Sequence, residues 1–183
     1  MVIGLNLCPF AKAAQIKGLV RYVLSPATDP EALLADLTAE LKRLADVPAD
    51  QVETTLLIHP RALVDFAEYN DFLEVAEDTV AELGLEGIIQ IASFHPHYQF
   101  AGTEPNDIEN ATNRSPWPTL HLIREDSIDR AVEAFPEAEA IYETNIETMR
   151  RLGATGWAEL QRQCRADAYP LAKPEGSSPR RPG

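Results

Sequence analysis

The chain has 183 residues, 45% of them hydrophobic and 25% charged, which suits one globular domain with one sizeable core. Its net charge of −13 argues against a nucleic-acid partner, because no basic patch offsets it in the body of the chain. The two cysteines, Cys8 and Cys164, lie far apart without a CxxC pattern, which argues against a disulfide framework and suits a reducing cytoplasm.

The amino terminus carries no basic n-region of a signal peptide, and no stretch approaches the roughly 20 apolar residues that cross a bilayer. A cytoplasmic location with no membrane partner is expected. The chain opens at once on apolar VIGLNL, as though it began inside its first element, so a longer native start is expected. Cys8-Pro9 then starts a short helix to about Lys17, closed by Gly18, with Cys8 near its N-cap. Leu19–Ser25 reads as a strand bounded by Pro26. Asp29-Pro30 begins a helix to about Asp46, with Leu33, Leu34, Leu37, Leu41 and Leu44 at helical spacing.

Val52–His59 is a second strand, closed by Pro60, and Val64–Leu83 a second long helix that offers Phe66, Phe72, Val75, Val80 and Leu83 to its buried side. Leu85–Phe94 is a third strand, apolar enough to be buried on both faces. Thr119–Arg124 is a fourth strand candidate, or the opening of a helix. Helices follow over Asp126–Phe135, Ala138–Leu152 and Thr155–Ala168, the last two parted by Gly153. From Tyr169 the Pro/Ser/Gly-rich tail reads as disordered. The expected fold is a single α/β domain over residues 1–168: a small, largely parallel or mixed sheet of about four strands, flanked by helices, with a helical C-terminal part. Right-handed crossovers put the ends of strands two and three on one edge, where His59 and His95 fall, in the paired motifs LLIHP and ASFHP.

The long stretch Phe94–Pro118 has no predicted regular structure, yet it holds Tyr98, Phe100 and Trp117. That combination marks an ordered binding or active-site loop. Cys8 at a helix amino terminus can serve as a nucleophile or metal ligand, or else packs as a small hydrophobe between Leu7 and Phe10. His95 and His97, two apart in extended chain, can close on one divalent ion such as zinc, with His121 as a further ligand. Alternatively His95 and His59 are ordinary polar strand terminators that make a hydrogen bond each. His95 also fits a base and Glu104 a general acid/base carboxylate.

Arg114, flanked by Asn113 and Ser115 and stiffened by two prolines, suits bidentate grip on a carboxylate or phosphate, or a structural pairing with Glu104, Asp107 or Glu109. His59, Tyr98, Asn113 and Trp117 complete the expected substrate-binding set. No GxGxxG, P-loop, HExxH or GxSxG is present, so no nucleotide cofactor is implied. The oligomeric state is left open.

At GLNLCPFAK (Gly4–Lys12), FHPHYQFAGT (Phe94–Thr103) and NRSPWPTLHLIRE (Asn113–Glu125) the chain resembles the bacterial domain-of-unknown-function family 1415, over roughly Val2 to Leu160. The resemblance implies a single cytoplasmic bacterial domain, and a helical segment before Val2 in relatives, but no activity. The residues themselves point to a small enzyme acting on a small anionic metabolite by Cys/His-based hydrolysis or group transfer. The alternative is a non-catalytic metal- or metabolite-binding protein using the His95/His97 pair.

Overall fold

The computed structural model describes residues 3–134 and 140–168. In chain order these form α1 (Pro9–Ile16), β1 (Val20–Leu24), α2 (Pro30–Asp46), β2 (Thr54–Ile58), α3 (Phe66–Glu82), β3 (Ile89–Phe94), a 3-10 helix (Ile108–Asn113), β4 (Thr119–Arg124), α4 (Glu125–Ala134) and α5 (Ala140–Ala168). Thr119–Arg124 is thus a strand. Gly153 (φ 66°, ψ 173°) breaks α5 into two helical segments where the sequence places the boundary. The expected tail from Tyr169, and Phe135 and Pro136 at the end of the expected helix, lie outside the described residues.

The sheet has the order β1-β2-β4-β3. β1 and β2 are parallel, while β4 runs antiparallel between β2 and β3. The sheet is therefore mixed. β2 and β3 still run the same way, so their carboxyl ends share an edge, as the crossover argument expects. β3 is an edge strand with Gln90 exposed, which corrects the reading of a strand buried on both faces.

The order also explains the layering. The crossovers β1–α2–β2 and β2–α3–β3 advance across the sheet in one direction, and two right-handed crossovers in one direction lay both helices on the same face. One core results: Leu33, Leu37, Leu41 and Leu44 of α2 and Tyr69, Phe72, Ala76 and Val80 of α3 meet Leu57, Ile89, Leu120 and Leu122 of the sheet. Because the two crossovers never reverse direction, they create no switch point of the kind that opens a ligand crevice in doubly wound folds.

Capping fixes both core helices in register. Asp29 accepts from the Ala32 N–H (2.9 Å), and Asp65 from those of Ala67 and Glu68 (2.8 and 3.2 Å). Arg124 of β4 donates to the carbonyls of Leu44, Val47 and Val52, closing the far end of α2. On α3 the buried ladder runs Tyr69, Phe72, Ala76, Val80, leaving Val75 42% exposed, a phase correction to the expected buried side. A second, smaller core of Leu7, Ala111, Met149 and Trp157 docks the 3-10 helix and the amino-terminal segment on α5.

In urea unfolding, Leu41→Ala is expected to cost about 2–5 kcal/mol, because it opens a cavity in a fully buried site. Val75→Ala is expected to change stability by under about 0.5 kcal/mol. Equal costs for the two would contradict the packing described.

Candidate functional site at the carboxyl edge of the sheet

β2 and β3 deliver His59 and His95 to one edge, and β4 begins between them. The His59 N–H donates to the Pro118 carbonyl (3.0 Å) and the His95 N–H to that of Asn113 (3.2 Å), so both motifs are stitched to the chain that enters β4. Tyr69 of α3 stands between the two rings, with centroids 5.8 Å from His59 and 5.0 Å from His95. Its hydroxyl donates to the Thr119 carbonyl (2.9 Å) and accepts from the Phe94 N–H (3.0 Å). Burial pushes the phenol's pKa up, so it stays a donor.

Both imidazoles are fully buried, and hydrogen bonding fixes their tautomers. His59 Nδ1 lies 3.0 Å from the Ala62 carbonyl, which can only accept, so Nδ1 carries the proton. His95 Nδ1 accepts from the His97 N–H (3.0 Å), which puts the proton on Nε2, 3.3 Å from the Leu63 carbonyl. The two histidines thus clasp consecutive carbonyls of one turn, where Leu63 adopts the left-handed conformation (φ 52°). Burial lowers the pKa of each ring first, against smaller opposing hydrogen-bond effects. This turn leads into α3 through Asp65.

With both nitrogens occupied, His95 offers neither a lone pair to a metal nor a base to a substrate. His97 is exposed beside it, ring centroids 5.9 Å apart. His121 lies on the opposite face of the sheet, paired in register with Leu56 and Ala92. Its Nε2 donates to Thr54 Oγ1 (2.6 Å), whose hydroxyl donates to the Leu122 carbonyl (2.7 Å), and burial brings its pKa down to about 4. The sheet therefore separates His121 from His95, and the expected His95/His97/His121 ligand set is not assembled. Among the described residues no group of three or more His, Cys, Asp or Glu side chains is arranged to hold a metal ion.

Beyond His95 the loop is ordered by one residue that sequence reasoning passed over. Asn110 is fully buried; its Oδ1 accepts from the Phe100 N–H (3.0 Å) and lies 2.8 Å from Thr103 Oγ1, while its Nδ2 donates to the Glu104 carbonyl (2.8 Å). Nothing in DIENATN distinguishes Asn110 from a solvated loop asparagine. Asn113 ties the loop to β3 by donating to the Ser93 carbonyl (3.2 Å). Tyr98 packs its ring on Phe66 and Phe100, at 5.4 and 5.0 Å.

Arg114 donates from Nε to the Tyr98 carbonyl (3.1 Å) and from Nη2 to that of Pro105 (2.6 Å). It has no carboxylate within ion-pair distance among the described residues. Of the three acids considered as partners, Glu109 pairs with Arg150 (2.6 Å), and Asp107 accepts from the Glu104 N–H (2.9 Å). Glu104 itself is exposed, tied into the loop by its backbone. Partial burial lowers the Arg114 pKa, leaving it cationic at neutral pH.

Cys8 is half-buried at the α1 N-cap, and its side chain makes no cap bond. Its neighbour Leu7 packs on Ala111, and the Leu7 carbonyl accepts from Asn145 (2.8 Å). Cys8 thus belongs with the 3-10 helix and α5, and no described contact joins it to His95. Trp117 is 43% exposed just before β4.

These features define a two-layer α/β domain with a carbonyl-anchored arginine on an ordered loop at the carboxyl edge of its sheet. The family model described as "Protein of unknown function (DUF1415)" matches residues 1–159. The chain belongs to that family, as its three motifs imply. No curated protein matches the chain, and no solved structure matches it.

Two measurements follow. Asn110→Ala leaves the Phe100 N–H and the Glu104 carbonyl without their partner and should cost at least about 2 kcal/mol in urea unfolding. The second concerns pH. His59, His95 and His121 have pKa values below the ordinary 6.5 when folded, so below that pH the unfolded chain binds more protons. Their stabilisation is complete above about pH 6.5 and is lost on acidification, for His121 down to its folded value of about 4. Unfolding free energy should fall between pH 6.5 and 5, and His121→Gln should reduce that slope by up to about 1.4 kcal/mol per pH unit. An unchanged slope in the variant would contradict the neutral buried state of His121.

Proposed function

We propose that this protein binds a small anionic metabolite at the loop over residues 95–118, with Arg114 as the anion clamp. The observation that carries the reading is a part-buried guanidinium, held by two carbonyls, that has no acidic partner among the described residues of a chain with net charge −13. A desolvated cation left without a counter-ion is costly, and an incoming carboxylate or phosphate relieves that cost. Two of its five N–H donors are engaged, and the remaining ones suit a bidentate acceptor. His97, Tyr98 and Trp117 are the neighbouring groups that would frame the ligand.

Binding without turnover is the better supported form. His95 as base, or as a metal ligand with His97, requires breaking the His97 N–H bond to its Nδ1 and exposing a buried ring. The hydrolase or transferase reading rests instead on Cys8, whose thiol makes no cap bond; loss of a measured turnover in a folded Cys8→Ser variant would support it. Cytoplasmic location and the absence of a nucleic-acid partner belong to the same proposal, supported by two free cysteines and the acidic charge. No helix among the described residues is long and apolar enough to cross a membrane.

Thermal unfolding against phosphate and a panel of small mono- and dicarboxylates tests the proposal. A true ligand at a hundred times its Kd should stabilise the wild type by about 2.7 kcal/mol. Arg114→Gln should abolish that response, whereas Arg150→Ala, which removes only the Glu109 pair, should keep it. A response that survives Arg114→Gln in a folded protein, or no response to any anion, would refute the clamp.

A further inference from the structure

The two ring nitrogens of His95 serve different parts of the chain. Nε2 donates to the Leu63 carbonyl in the turn before α3 (3.3 Å), while Nδ1 accepts from the His97 N–H of its own loop (3.0 Å). The second bond joins residues i and i+2 across Pro96, the pattern by which Asn and Asp side chains pin turns. The His95 carbonyl completes the same corner by accepting from the Tyr98 N–H (3.1 Å). The Tyr98 carbonyl in turn accepts from Arg114 Nε (3.1 Å). One residue therefore fixes the corner that carries an anchor of the guanidinium.

An added proton can enter His95 only at Nδ1, because Nε2 already carries one. An N–H cannot donate to a protonated nitrogen, so uptake breaks the bond to His97 and leaves the bond to Leu63 in place. His59 and His121 behave differently. Each would take the proton at a nitrogen that accepts no hydrogen bond among the described residues, Nε2 of His59 and Nδ1 of His121, so neither loses one. Around His95 stand Tyr69, Phe66 and the N-cap Asp65 of α3, and His97 and Tyr98 of the corner, with His59 beyond Tyr69. Burial is the largest influence and keeps the ring neutral. The Leu63 carbonyl opposes it, His97 reinforces it, and the Val64 backbone and Asp65 oppose it more weakly.

We propose that His95 is the positioning residue of the Arg114 clamp and releases it on taking a proton at Nδ1. The inference rests on the anion-binding reading given above. The ligand is then an anion held while His95 is neutral and let go on acidification. By linkage, a bound anion opposes proton uptake at His95 to the same extent.

Nuclear magnetic resonance of the full labelled chain tests this, first without ligand and then with sulfate, whose charge does not change over the range used. Without ligand, protonation of His95 Nδ1, read from the ring nitrogen shifts, should coincide with loss of exchange protection at the His97 amide and at Arg114 Nε–H. His97 protection should fall about tenfold between about pH 7.5 and about pH 5.5, as expected for one proton on a ring that regains its ordinary pKa of about 6.5 once the corner opens. His95→Asn rebuilds the bond to the His97 N–H with a group that does not titrate, so in that variant the protection should stay flat. Where the variant does not fold, the wild-type measurements decide. Sulfate should raise His97 protection in the wild type and move the His95 titration to lower pH. Proton uptake at His95 with the His97 amide and Arg114 Nε–H still protected overturns the proposal, as does sulfate binding that leaves the His95 titration where it was. A corner that opens as described, in a protein that binds neither sulfate nor any anion of the panel above, upholds the hold of His95 on Arg114 and refutes the anion reading instead.

Discussion

One hydroxyl holds the carboxyl edge together. Tyr69 reaches from α3 to donate to the first residue of β4 and accept from the last of β3, with His59 on one side of its ring and His95 on the other. These residues come from three elements far apart in sequence. Their common attachment is the turn at Ala62-Leu63, whose left-handed backbone would be unfavourable for a leucine in isolation. Two imidazole N–H donors hold its carbonyls, and Leu63 contributes its side chain to the core. The start of α3, and with it the helix layer, depends on both rings keeping these N–H donors on the turn.

The layering follows from topology as directly as the edge follows from hydrogen bonding. Parallel crossovers that advance in one direction place their helices on one side, and a strand returning between β2 and β3 cannot add a helix to the other. Open α/β sheets form ligand crevices where the strand order turns back. Here the two parallel crossovers advance without such a turn, and the proposed binding function rests on a loop instead. The loop that joins β3 to β4 is much longer than a tight hairpin needs, and its ordering comes from Asn110 and Asn113 of the 3-10 helix, which docks on α5, rather than from strand pairing.

Much of this was legible in the residues. The helices were marked by caps and leucine spacing, the break at Gly153 by the glycine itself, and the shared edge of His59 and His95 by crossover handedness. The position of β4 was not legible, because a short apolar run states neither its direction nor its neighbours. That one insertion turned β3 into an edge strand. The edge that gathers His59 and His95 was legible as a location but not as an arrangement. HPH reads as a metal pair only while the chain is assumed straight, and here the His97 amide folds back onto His95 Nδ1. Asn110 was invisible because its role lies in the partners it reaches, none of which sequence spacing reveals.

The acidic character of the chain bears on what Arg114 can hold. The 29 acidic residues against 16 basic ones create a field that repels anions at distances up to about the Debye length of 8 Å. A guanidinium in such a chain would ordinarily find a carboxylate, as Arg21 does with Glu40 and Arg150 with Glu109. Arg114 is instead anchored by carbonyl oxygens, which orient the fork without neutralising it. On the proposed reading, attraction for an anion at this loop is short-ranged and directional, carried by the guanidinium N–H donors not engaged by Tyr98 and Pro105, against an unfavourable background. That balance disfavours extended polyanions, whose remaining charges would face the acidic surface. It favours a compact ligand whose negative charge fits within reach of one guanidinium.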